Sequence, residues 1–142
     1  MTINRTDIQI RFADVDMLRH VNNVNLQHYF DFGKSEFFRM IFDGFTQHGE
    51  GQELITASTA TNYFIQTRYE DKIHVETQVE KIGNKSFTLM QRIINNATGA
   101  VHAESHTVMV AFNFTTQHSV TIPDRWRREL EEAMEVEVRS EK

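Results

Sequence analysis

Asp14, Asp16, His20, Asn22 and Asn23 stand close together in the run Phe12–Tyr29, FADVDMLRHVNNVNLQHY. They fall just before a stretch with helical periodicity. The first N–H groups of a helix have no intrahelical partner and carry partial positive charge. A carboxylate beside them is kept ionised at neutral pH. The same N–H groups can polarise a carbonyl and stabilise an oxyanion. A carboxylate, an imidazole and free N–H groups are a sufficient kit for transferring an acyl group to water. By spacing alone these residues also read as loop and cap residues, with Asn22 or Asn23 a good N-cap.

The elements that must position this run follow from periodicity. Ile8–Phe12 reads as a short first strand and Ala13–Asn23 as a loop. Leu26, Phe30, Gly33, Phe37 and Ile41 recur every three or four residues, which predicts a helix from about Val24 to Phe42. Gly33 costs such a helix about 1 kcal/mol relative to Ala, and close approach to another backbone would offset that. Asp43–Glu53 is glycine-rich and reads as a loop.

The period then changes to two. Ile73, Val75, Thr77 and Val79 alternate with polar residues, as in a strand with one buried face. Leu54–Tyr69, Phe87–Ile94 and Ala100–Phe112 read as strands as well. Turn signals at Gly83-Asn84 and Asn95–Gly99 join the last three as antiparallel hairpins. Pro123 suits the start of a short helix carrying Trp126, Leu130 and Met134 on one side. Residues 1–134 are expected to form one domain, and 135–142 a charged tail. The expected class is α+β: one curved antiparallel sheet of about five strands wrapped around a long central helix. The sheet's outer face is then a plausible contact surface between copies.

Composition narrows the function. The chain has 142 residues, net charge −5 and no cysteine. Disulfides, thiolate zinc sites and cysteine nucleophiles are therefore excluded. The acidic balance argues against nucleic acid. No signal-like segment or spanning apolar run occurs, so a cytoplasmic protein without a membrane role is expected. His102, Glu104 and His106 would share one strand face. Two His four residues apart on a strand lie roughly 13 Å apart, too far for one ion. No metal or cofactor is expected. The chain also lacks G-x-S-x-G, G-x-G-x-x-G and Walker loops.

The run with Asp14-Val15-Asp16, an aromatic residue two before Asp14, and a helix beginning near Val24 resembles the hotdog-fold acyl-CoA thioesterases of the 4-hydroxybenzoyl-CoA thioesterase family. The HVNN run His20–Asn23 is similar to the corresponding stretch of plant acyl-ACP thioesterases. The segments ITASTATNYF, TRYEDKIHVET and KIGNKSF follow in the expected order. The resemblance implies a hotdog fold and a thioester hydrolase that releases a carboxylic acid and coenzyme A. It also implies a homodimer or a dimer-of-dimers homotetramer with sites at subunit interfaces.

Carried over residue by residue, the resemblance makes Asp16 the catalytic carboxylate, as nucleophile or as general base. His20 would orient the thioester or help the thiolate leave. Backbone N–H groups near Val24 would hold the oxyanion, and Asn23 would orient the loop. Lys85 matches a position where relatives carry a base near the nucleotide phosphates, and Arg68 and Lys81 are further candidates. Where the plant-type pattern has Asn two residues after the Asp, this chain has Leu18. The alternatives are acyl-ACP as substrate, or a non-catalytic acyl-thioester binding protein on the same fold.

Overall fold

The computed structural model describes residues 1–42 and 52–140, with side chains for 1–42 and 53–134. The expected loop Asp43–Glu53 lies largely outside the described residues. In chain order the elements are β1 (Asn4–Ile8), a 3-10 turn (Phe12–Asp14), α1 (Asn23–Ile41), β2 (Gln52–Tyr63), β3 (Ile73–Ile82), β4 (Ser86–Asn95), β5 (Val101–Asn113), β6 (His118–Ser119) and α2 (Asp124–Ser140).

The strands form one antiparallel sheet in the order β1-β3-β4-β5-β2, with the two-residue β6 paired to β5. Among the described residues the sheet thus has the expected number of strands, about five, with the two-residue β6 as an addition. Helix α1 lies on one face, giving the hotdog arrangement expected from the resemblance. Its buried residues Leu26, Tyr29, Phe30, Gly33, Phe37 and Phe38 form the stripe that the helical period required. Near the helix start, Leu26 and Phe30 meet Ile73, Val75, Ile93 and Ala103. Toward its end, Phe37, Phe38 and Phe42 join Phe87, Leu89 and Trp126 of α2. Each fully buried Phe contributes roughly 2 kcal/mol.

Several boundaries differ from the sequence reading, for local reasons. The first strand, Asn4–Ile8, ends where the expected run Ile8–Phe12 begins, and Phe12–Asp14 is a 3-10 turn. Strand β2 stops at Tyr63 because the N–H groups of both Phe64 and Ile65 donate to the carbonyl of His102, which turns the chain away. Helix α2 runs from Asp124 to Ser140, longer than the short helix expected after Pro123. The close approach at Gly33 is to a side chain rather than a backbone. A Cβ there would lie 2.6 Å from Val75 Cγ1 and 3.0 Å from Val75 Cβ.

The alternation of His102, Glu104 and His106 is also broken. The register between β4 and β5 shifts between Ile93 and Ile94, leaving His102 as the extra residue of a bulge. His106 meets Glu80 (2.6 Å) and Glu104 (2.9 Å), whereas buried His102 faces Thr67 and Asn95. Among the described residues, no group of three His, Asp or Glu side chains is arranged to hold a metal ion.

Candidate active site

The run from Asp16 to Asn23 folds as a small hairpin laid against Thr67–Tyr69. Val15 bridges Val21, and His20 bridges Arg68. The Val21 N–H donates to the Thr67 carbonyl at 2.8 Å, and the Tyr69 N–H donates to the Arg19 carbonyl at 3.1 Å. Arg19 has φ +66, the left-handed region. This costs a non-glycine residue about 1 kcal/mol and persists where neighbours hold it. Its side chain supplies such a hold: Nε donates to Glu70 at 2.8 Å, and the guanidinium lies 5.2 Å from the centre of the Tyr69 ring.

This turn fixes Asp16. Its Oδ1 accepts from the N–H of Leu18 (2.9 Å) and of His20 (3.1 Å). Oδ2 accepts no hydrogen bond from any described residue. The His20 N–H, the largest influence, holds the Asp16 carboxyl below its usual range; burial opposes it, and the Leu18 N–H adds to the lowering. The side chain is exposed and ionised, with one oxygen anchored and one available.

Asp14 has a different environment, although only one residue separates it from Asp16. It is 2% exposed. It accepts from the Arg11 N–H (3.0 Å), the Arg11 guanidinium (3.0 Å) and the Tyr29 hydroxyl (2.6 Å). Burial opposes its ionisation, but these bonds together outweigh burial and lower its pKa. Burial and then the Asp14 carboxylate push the Tyr29 hydroxyl well up. Asp14 thus ties the loop to α1.

Helix α1 begins at this loop. Asn22 is the N-cap, and its side chain accepts from the Asn25 N–H at 2.9 Å. The Leu26 N–H goes to the Asn22 carbonyl. The N–H groups of Asn23 and Val24 have no partner among the described residues, so they supply the positive end of the helix.

Beside them opens a cleft of about 540 Å³ lined by Asp16, Leu18, His20–Asn23, Leu26 and Tyr63–Thr67. Of the residues singled out from sequence, the structure brings Asp16, His20 and Asn23 to this cleft, with Val24 next along the helix. Arg68 is exposed and adjoins it through the bridge to His20. Lys81 and Lys85 are not brought there. Lys85 precedes β4, eight residues before Ile93, whose partner Ala103 pairs with Tyr63 at the cleft. That separation is about 26 Å along the sheet. The sequence reading missed the wall Tyr63–Thr67, which it placed in a continuous strand, and the buried pair Thr67 and His102. No local spacing marks either.

A long helix cradled by an antiparallel sheet, with a carboxylate cleft at the helix start, defines the hotdog-fold thioesterase class. Residues 10–138 match the family model of the thioesterase-like superfamily, and the chain belongs to that superfamily. No protein of curated function matches the sequence. Among solved structures, it is similar to a predicted thioesterase from Bacillus stearothermophilus, at 30% identity over 93% of this chain and 96% of that one, with TM-score 0.82. It shares its fold with DHNA-CoA thioesterase from Staphylococcus aureus (20% identity, 99% and 93% covered, TM-score 0.80). It also shares its fold with the 12:0-ACP thioesterase from Umbellularia californica (19% identity, TM-score 0.83), covering 92% of this chain and 53% of that one. No described helix is long and apolar enough to cross a membrane.

Proposed function

We propose that this chain hydrolyses acyl thioesters of coenzyme A, with Asp16 as the reacting carboxylate. The observation that carries this reading is the state of Asp16. It is ionised, anchored through Oδ1 and free at Oδ2, and it lines a cleft that also holds His20 and borders the start of α1. An acyl carbonyl in the cleft would accept from the N–H groups of Asn23 and Val24, and its oxygen would gain negative charge there. Oδ2 then attacks the carbonyl carbon, or removes a proton from a water that does. The C–S bond breaks and the thiolate leaves, with His20 placed to give it a proton. In the first route water cleaves the mixed anhydride, which frees the acid, restores the Asp16 carboxylate and returns a proton to His20; in the second the acid forms directly, and the proton that Asp16 took from water passes on to His20. Asn23, at the cleft, orients the loop.

The DHNA-CoA thioesterase of the same fold supports coenzyme A as the carrier. The 12:0-ACP thioesterase supports the second reading, an acyl carrier protein thioester. Arg68 beside the cleft is placed for coenzyme A phosphates. Lys81 and Lys85 serve that role only from a second copy, in keeping with the homodimer or dimer of dimers implied by the resemblance. Strand β2, a twelve-residue edge of the sheet, and the rim formed by Leu18 (71% exposed), Phe64 (59%) and Ile65 (47%) are the surfaces a second copy would cover.

A panel of short, long and aromatic acyl-CoA and acyl carrier protein thioesters tests the reading. Asp16→Ala is expected to lower turnover at least about 100-fold, with fold and oligomeric size retained. Wild-type rates in that variant would refute the role of Asp16. Tight acyl-CoA binding with no hydrolysis across the panel would make the chain a binding protein instead.

A further inference from the structure

Thr67 and His102 occupy the inner end of the cleft wall and have no part in the reaction as described. Thr67 is one of the residues around the cleft but is itself 0% exposed, and His102 is 3% exposed. Thr67 Oγ1 lies 2.9 Å from His102 Nδ1. The other ring nitrogen, Nε2, lies 3.4 Å from Asn95 Nδ2.

The direction of these bonds follows from Asn95. Its Oδ1 accepts from the N–H groups of Ala97 (2.9 Å) and Thr98 (3.2 Å). Those two bonds fix which end of the amide faces the ring, and that end is NH2, a donor only. Nε2 must therefore be the acceptor and carry no proton. The ring proton sits on Nδ1 and points at Thr67 Oγ1. Burial lowers the His102 pKa, and the opposing charge of Asp71 is the weaker influence, so the ring is neutral at neutral pH. Thr67 Oγ1 thus accepts from His102, and its own O–H must donate elsewhere. No described residue accepts it, and buried donors are seldom left without a partner. The open space that Thr67 borders is the cleft, so a ligand seated tightly there is the partner within reach.

We propose that the Thr67 hydroxyl donates a hydrogen bond to the thioester carbonyl oxygen in the cleft, and that His102 is the positioning residue that aims it. This rests on the thioesterase reading of the same site. Thr67 then completes, from the wall, the set of donors that Asn23 and Val24 supply from the helix. The backbone role of His102 is separate: its carbonyl accepts from Phe64 and Ile65 and survives a change of side chain.

Two measurements test the proposal. Two-bond 1H–15N correlation on the 15N-labelled wild-type chain reads the His102 tautomer without reference to activity. Protonation at Nδ1 is expected; protonation at Nε2 would overturn the proposal. Kinetics use the acyl-CoA thioester that wild type hydrolyses fastest. Thr67→Val is expected to lower kcat on the order of 100-fold with KM little changed, and Thr67→Ser to restore most of it. His102→Gln, which moves the donor away from Thr67, should lower kcat. His102→Asn, whose amide can take the place of Nδ1–H, should lower it less. His102→Gln added to Thr67→Val should cause no further loss. A folded Thr67→Val variant with wild-type kcat, or multiplicative losses in the double variant, would refute the proposal. A wild type that hydrolyses no thioester defeats the thioesterase reading, and the tautomer still decides where the Thr67 proton goes.

Discussion

Asp14 and Asp16 lie two positions apart and are both held below the usual carboxylate range, by opposite means. Asp14 is buried and takes its bonds from Arg11 and from Tyr29 of α1, so both oxygens are used. Asp16 is exposed and takes backbone bonds through one oxygen only. A reacting carboxylate must be ionised, and backbone donors keep Asp16 ionised to lower pH than an ordinary side chain. Because the charged form is the active one, kcat/KM should hold its plateau down through the ordinary carboxylate range and fall only below it. A pH–rate profile checks this, and an acid limb at or above the ordinary value would contradict it. The division between the two carboxylates was partly legible in the sequence, where the resemblance put the reacting role on Asp16 and not on Asp14. Thr67 and His102 were not legible. They are 35 positions apart, and the bulge that turns His102 from its expected face leaves no mark on local periodicity.

At the scale of elements, α1 and the four long strands followed from the change of period, from one apolar residue in three or four to one in two. Their ends did not follow. The end of β2 depends on a carbonyl in β5 that takes two N–H groups, and no local signal announces that. Gly33 shows the same limit. The sequence marked it as a helical glycine needing compensation, and the structure identifies Val75 as the reason. Gly33→Ala would gain about 1 kcal/mol of helix propensity. The new methyl would also meet Val75 well inside contact distance, and overpacking of this kind costs typically about 1–3 kcal/mol. Val75 is a short, fully buried side chain on a central part of the sheet, so the neighbour yields little. Net destabilisation of about 1 kcal/mol is expected, read by urea unfolding. Val75→Ala in the same chain should cost less than it does alone, because it relieves the clash. An alanine variant more stable than wild type would contradict this packing.

For the molecule as a whole, the fold class was legible because a single long amphipathic helix followed by long alternating strands has few ways to bury both. Which end of the sheet each residue occupies was not legible. Lys81 and Lys85 read as neighbours of the site, yet the β3–β4 turn carries them to the far end. The sheet order β1-β3-β4-β5-β2 also governs how the chain assembles. The two outer strands are the first two made, and β2 must wait for β5, about 40 residues later, before its register Gln52–Tyr63 against Ala103–Asn113 can form. Closing that loop has an entropic cost that the tight β3–β4 and β4–β5 hairpins avoid. The three-stranded meander should therefore form first, with β2 and the site wall beyond it added last. Folding kinetics of conservative substitutions would show it. Leu89 and Ile93 are expected to have high φ-values and Leu54 and Thr61 values near zero, so that the site is assembled in the final step of folding.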